Sequence, residues 1–234
     1  MLVNKKGIVD AELQTFPWEH ILVDDFIEPD TYKKLLKIAD KVKDMGDSIK
    51  LSRVSKYDPK FNECVFGIKH LLELGVEEEI VKLYANVLDD ILSLRDTIWS
   101  KFSKHRASDE DRMFACNGHL NWTGAGGHYQ IHPDSNNKTV SIIIYFDPDE
   151  NNTTTLWEEC SDTSACVRPE WKRNRAVLFC PHESTWHSVE TTKYDRMTLA
   201  CFIEFIPKER AENDDYSIEH LEFSDGYTLT QLHI

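Results

Sequence analysis

Residues 113–206 limit what this chain can fold into more than any other feature. The segment consists of short runs of β-branched and aromatic residues, each cut off within a few positions by Gly, Asn, Asp or Pro. The spacing predicts strands near 114–122, 127–133, 138–146, 154–158, 175–180, 185–190 and 196–206. Ahead of them the pattern is helical. "TYKKLLKIADKVKDM" repeats Tyr32, Leu35, Leu36, Ala39 and Val42 on one face, after a short strand in "HILVDDF". A longer helix is expected from about Val76 to Phe102, with Ile80, Leu83, Tyr84, Val87, Leu88, Ile91 and Ile98 as its apolar stripe and acidic residues at its start. Helices followed by a run of short strands indicate an α+β chain with a sandwich or barrel, the helical stripes packing against a sheet. We expect one domain over 1–234: strand and helical support to 112, a β core over 113–206, and an acidic tail over 207–234 that is either a flexible end or a cover over one sheet.

Composition narrows the partners. With 27 Lys and Arg against 41 Asp and Glu, the formal charge is -14. A phosphate backbone would be repelled, so nucleic acid is not expected. No apolar run approaches the ~18 residues a membrane helix needs, and "MLVNKKGIVDAELQ" lacks the apolar centre of a signal peptide; a cytoplasmic location without a membrane partner is expected. Cys64, Cys116, Cys160, Cys166, Cys180 and Cys201 are scattered and form no C-x-x-C pair, so reduced thiols are expected. Cys160 and Cys166 share a polar segment and are left open as a pair or as metal ligands.

The chemistry concentrates in "HYQIHPDSNNKTVSIIIYF", 128–146. His132 and Asp134 stand two apart at the end of a predicted strand, where alternate side chains share a face. His187, in "STWHSVE", supplies a third ligand. Two imidazoles and a carboxylate on one face of an octahedral ion leave three positions open, which suits non-haem Fe(II) and a reaction at those positions; His132, Asp134 and His187 are therefore the metal ligands and catalytic residues expected. Further on, Arg196 and Thr198 share a strand face, with Met197, Leu199 and Cys201 on the other. An inward guanidinium needs an anion. Iron at +2, Asp134 at -1, Arg196 at +1 and a dicarboxylate at -2 sum to zero, and 2-oxoglutarate fits: its keto acid chelates iron while its far carboxylate meets Arg196 and Thr198.

The ordered motifs "HPD" at 132–134, "WHSV" at 186–189 and "RMT" at 196–198, with "NRAVLF" and "TTLWE" between them, resemble the Fe(II)/2-oxoglutarate-dependent dioxygenases, in their prolyl 4-hydroxylase-like branch. "FPWEHILVDDFIEPDTYKKLL" resembles that branch's opening strand and helix, so the likeness runs to about Pro207. The resemblance implies a double-stranded β-helix (jelly roll) whose open end holds the metal, with Fe(II) and 2-oxoglutarate as cofactor and co-substrate and ascorbate as a further candidate. It also implies hydroxylation of an unactivated C–H bond with release of succinate and CO2, on a peptide, protein or small-molecule substrate. Two departures stand out. Trp122, in "NWTGAGGHY", occupies the place of a tyrosine before a Gly-rich turn, with Tyr129 a candidate co-substrate contact; "ENNTTTLW" lacks a glycine before its T-x-L-W. His128 is read as structural or as a neighbour of the site, and His20, His119 and His182 as surface or packing residues. The alternative reading is a non-catalytic or cupin-like metal-binding jelly-roll module, although cupin sites carry H-x-H and have no need of Arg196.

Overall fold

The computed structural model describes residues 1–51, 56–104, 113–206, 212–213 and 217–233. A short helix α1 (Lys5–Asp10) precedes β1 (Ile21–Val23) and the helix α2 (Pro29–Met45), which Pro29 opens at the position where a missing N–H costs nothing. After a 3-10 turn (Gly46–Leu51) come β2 (Lys56–Asp58), β3 (Glu63–Gly67) and α3 (Ile68–Glu73). The long helix expected over 76–102 is divided into α4 (Glu78–Ser93) and α5 (Arg95–Trp99), because buried Leu94 leaves helical geometry between them.

The β core then runs through β4 (Phe114–Thr123), β5 (His128–His132), β6 (Lys138–Asp147), β7 (Thr154–Trp157), β8 (Cys166–Val167), β9 (Ala176–Phe179), β10 (Trp186–Glu190) and β11 (Arg196–Phe205). The seven predicted strands are all present, with ends within one or two residues. Two further strands, β12 (Ser217–Glu222) and β13 (Thr228–His233), pair as a hairpin in the tail.

A larger sheet has the order β1-β9-β6-β11-β4-β3-β2 and a smaller one β5-β10-β7-β8. Every pairing is antiparallel, and consecutive core strands cross between the two sheets, except β7 and β8, which pair within the smaller one. This is a double-stranded β-helix, as expected, with the helices on the outer face of the larger sheet. Among the described residues no disulfide joins the six cysteines.

Burial explains the arrangement. On β11, Met197, Leu199, Cys201 and Ile203 face the helices and join one apolar core with Leu120, Trp122, Ile142, Ile144 and the stripe of α4. Each fully buried Leu, Ile or Val contributes ~1.5–3 kcal/mol. Exposed pairs such as Lys37 with Glu77 contribute ~0–1 kcal/mol, so packing decides the fold. A smaller core of Trp18, Tyr145, Leu156, Val177 and Phe179 fills the space between the sheets. The tail covers rather than dangles over 217–233: β13 lies against β4, and Phe223 and Leu229 enter the helix-side core.

Trp122 belongs to this outer face. It lies opposite Cys64 and Met197 and donates its indole N–H to Asp195 at 3.1 Å. It does not line the inner cavity, so it does not take the place of a tyrosine there; strand alternation sends its neighbours Asn121 and Thr123 inward instead.

One glycine permits the close approach of helix and sheet. A Cβ on Gly118 would lie 2.6 Å from Tyr84 Oη and 2.8 Å from Leu88 Cδ1. Gly118→Ala should therefore destabilise the chain by about 1–3 kcal/mol through overpacking. A urea-unfolding midpoint equal to that of the unsubstituted protein would show that α4 can withdraw from β4 without cost.

Candidate active site

The pairing of β5 with β10 sets His132 directly opposite His187, with ring centroids 4.3 Å apart. Asp134 lies two residues past the end of β5 rather than on it. The turn through Pro133, not strand alternation, carries its carboxylate back, to 3.9 Å from His187 Nε2. One ligand-type atom from each of the three residues lies within 4.8 Å of the others.

The hydrogen bonds around this trio fix its chemistry. His132 Nδ1 is 2.9 Å from the carbonyl oxygen of Gln130, and His187 Nδ1 is 3.0 Å from that of Thr185. A carbonyl only accepts, so each Nδ1 carries a proton and Nε2 is the ring atom each histidine can offer to a metal. Burial, reinforced by the neighbouring His187, pushes His132 down to about 4, so its ring is neutral at physiological pH. Asp134 is 8% exposed. Burial pushes its carboxyl up, but Lys138 and His187 outweigh that and, with the hydroxyl of Ser141, hold it at about 2. Lys138 Nζ donates to Oδ1 at 2.7 Å and Ser141 Oγ to Oδ2 at 2.6 Å. Two Nε2 lone pairs and one ionised carboxylate form a donor set that fits ferrous iron.

The trio opens on a cavity of about 240 Å3 between the sheets. Strand β11 lines it with every second residue: Arg196, Thr198, Ala200, Phe202 and Glu204. Arg196 is 2% exposed. Its Nε donates to the carbonyl of Asn152 at 3.3 Å and its Nη2 to Thr154 Oγ1 at 3.2 Å, and the guanidinium lies beside the rings of Trp171 and Tyr145. It has no carboxylate partner in contact among the described residues. Burial lowers it to about 10, with Tyr145 and Glu63 the groups that oppose the shift. A cation buried with only neutral partners is a site for an anion. Thr198, 1% exposed, is the next inward residue of the same strand. Tyr129 also lines the cavity; its ring packs edge-on against His132 at 4.5 Å, and burial raises its phenol, so the hydroxyl stays a donor.

The structure thus brings His132, Asp134, His187, Arg196, Thr198 and Tyr129 around one cavity. It also places there residues that the sequence did not single out: Glu63 and Val65 from β3, Asn121 from β4, Lys138 from β6 and Glu204 from β11. The side-chain oxygen of Asn121 is buried with no hydrogen-bond partner among the described residues, so it is open to a bound group. His119, expected as a surface or packing residue, lines the cavity too, because it shares the inward face of β4 with Asn121. Alternation from Arg196 and Thr198 to Glu204 could have found the last of these; β3 had no such anchor.

Residues 117–204 match the family model of the 2OG-Fe(II) oxygenase superfamily. No curated protein sequence matches the chain. Among solved structures, a prolyl hydroxylase of Trichoplax adhaerens, in complex with a hypoxia inducible factor oxygen degradation domain peptide fragment, is 14% identical with a TM-score of 0.63. The match covers 89% of this chain and 91% of that one. A Pseudomonas putida prolyl-4-hydroxylase is 12% identical, TM-score 0.54, over 79% of this chain and 91% of its own. A rice dioxygenase for auxin oxidation is 15% identical, TM-score 0.56, over 84% and 75%. These likenesses are of fold, and the family match spans every cavity motif from Asn121 to Glu204. Residues 117–204 are thus similar to the 2OG-Fe(II) oxygenase superfamily, and within them His132, Asp134 and His187 form a donor set that fits Fe(II).

Proposed function

We propose that the chain is an Fe(II)- and 2-oxoglutarate-dependent dioxygenase that hydroxylates an unactivated C–H bond of a proline-like ring, peptidyl or free, with release of succinate and CO2. In this reading His132, Asp134 and His187 hold the iron, and Arg196, Thr198 and Tyr129 hold 2-oxoglutarate. The observation that carries it is the pairing, in one cavity, of an N,N,O donor trio with a buried arginine that lacks an anion. Iron and 2-oxoglutarate together supply the oxidising power and O2 activation that no side chain has.

The chain's own residues bind, orient and exclude water. The two backbone-held imidazoles present Nε2 without reorganisation, and Ser141 and Lys138 keep Asp134 ionised. Arg196 meets the far carboxylate of the co-substrate, and the hydroxyls of Thr198 and Tyr129 donate to its oxygens. Val65, Ile143, Val189 and Phe202 make much of the remaining lining apolar, which favours exclusion of bulk water from the reacting carbon.

Support for the substrate comes from the prolyl hydroxylase neighbours, one of which was solved with a peptide. The segment "NWTGAGGHY" contributes Asn121 and Tyr129 to the cavity, and the segment beginning "PDENNTTTLW" contributes Thr154, so both are read as the rim across which the substrate lies.

Three measurements test this. Asp134→Ala should abolish stoichiometric anaerobic Fe(II) binding and succinate formation; full occupancy and turnover would remove Asp134 from the metal site. Arg196→Ala should raise the apparent KM for 2-oxoglutarate about 30-fold or more, the equivalent of ~2–5 kcal/mol for a buried charge left without its partner; unchanged affinity would make the arginine structural. Incubation with proline-rich peptides, free proline and small amino acids should give a gain of one oxygen on a proline ring by mass spectrometry. Turnover of 2-oxoglutarate with no oxygen gained on any of them would remove proline and leave the oxygenase.

A further inference from the structure

Glu63 lines the cavity and has no role yet in holding the metal or the co-substrate. In the larger sheet it lies directly opposite Thr123, which lies directly opposite Arg196. Directly paired residues share a face, and both Glu63 and Arg196 line the cavity. Only the small, buried Thr123 separates their rows. The Glu63 carboxyl makes no hydrogen bond or ion pair among the described residues.

Its charge is difficult to accommodate once the cavity is filled. Iron at +2, Asp134 at -1, Arg196 at +1 and 2-oxoglutarate at -2 sum to zero, and Lys138 with Glu204 adds zero more. An ionised Glu63 would leave one uncompensated negative charge in a desolvated space, beside the carboxylate that engages Arg196. A neutral Glu63 carboxylic acid removes that charge and becomes a donor, its O–H facing a carboxylate oxygen.

We propose that Glu63 is a co-substrate-binding residue that acts in its protonated form, so that the chain takes up a proton when 2-oxoglutarate binds. The inference rests on the co-substrate reading above. The proton comes from solvent and ends on the Glu63 carboxyl; no other bond forms or breaks.

The surroundings support it. Burial pushes Glu63 up to about 7, against Arg196 of β11, which holds it down, while Asp58 of β2 raises it further. Tyr129 of β5 faces the same space, and His119 of β4 lies further along the cavity. A carboxylate arriving at Arg196 neutralises the one charge that favours ionised Glu63 and adds another that opposes it. The proton affinity of Glu63 must then rise on binding. Above pH 7 the free chain has lost this proton and must regain it, so 2-oxoglutarate affinity falls as pH rises.

The test is calorimetry of 2-oxoglutarate binding to the Mn(II)-loaded, oxygen-free protein, in buffers of different ionisation heat. At pH 8 the unsubstituted chain should take up a clear fraction of one proton per 2-oxoglutarate, and its Kd should rise several-fold from pH 8 to 9, up to about tenfold. Glu63→Gln keeps the shape and a donor; it should take up almost none, with a nearly flat Kd. Mn(II) affinity equal to that of the unsubstituted chain establishes that the variant is folded. His119→Gln should retain the uptake. Equal uptake in Glu63→Gln and the unsubstituted chain, or none in either despite clear 2-oxoglutarate heat, would overturn the role of Glu63 and leave the co-substrate site intact. Absence of 2-oxoglutarate heat in both proteins would overturn the co-substrate reading and Glu63 with it.

Discussion

The two-residue alternation of β11 is the constraint on which the rest of the structure depends. This strand lies between β6 and β4, paired along its length with β4 from Arg196↔Thr123 to Phe205↔Phe114. One face supplies Met197, Leu199, Cys201 and Ile203 to the helix-side core, and the other supplies Arg196, Thr198, Phe202 and Glu204 to the cavity. A slip of one residue would exchange the two sets, driving a guanidinium and a carboxylate under α4 and apolar side chains into the cavity. The cost of burying those charges without partners exceeds that of almost any other single error in the fold. Register and chemistry are therefore specified together: the residues that make the site polar also forbid the alternative pairing.

This coupling explains what was legible in the sequence. Strands β4 to β7 and β9 to β11 could be read because alternation and Gly, Asn, Asp and Pro punctuation are local signals, and because His132, His187 and Arg196 each sit at or next to a strand end. The division of the long helix at Leu94 was hidden, since both halves continue one apolar stripe. Strands β2 and β3 were also hidden. They are three and five residues long, and they earn their place in the sheet by pairing with β4, a non-local condition. The tail was ambiguous for the same reason: Phe223 and Leu229 are apolar residues in an acidic stretch, and only the exposed edge of the core decides where they go.

Within the site the expected residues meet for a physical reason partly different from strand alternation. His132 and Asp134 converge although only the first is on the strand, because the turn at Pro133 redirects the chain and Lys138 and Ser141 then hold the carboxylate. Likeness of motif put Trp122 in the place of a tyrosine, whereas its pairing with Cys64 and Met197 places it on the outer face. Strand parity, counted from Arg196 across the ladder, settles such cases better than likeness of motif, since it also turns His119, Asn121 and Glu63 inward.

The charged residues of the cavity divide into two levels along β11. At one level Arg196 faces Glu63, with Thr198 the next inward residue of the strand; at the other, Lys138 lies between Asp134 and Glu204, its ammonium 3.4 Å from the centre of the Phe202 ring. Glu204 is itself half-buried and raised by burial, held back by Lys138 and by hydrogen bonds from Asn117 and Asn137. Each level has one cation and a carboxyl group raised by burial, Glu63 at the first and Glu204 at the second, but their neighbours differ. Arg196 is enclosed by Tyr145, Trp171, Asn152 and Thr154, so an anion there must be small and of fixed length. Lys138, Glu204 and His119 are only half-buried, and a group that meets them can extend out of the cavity. The enclosed level thus offers a cation with no charged group in contact among the described residues, whereas the half-buried one is a network in which Lys138 also holds Asp134.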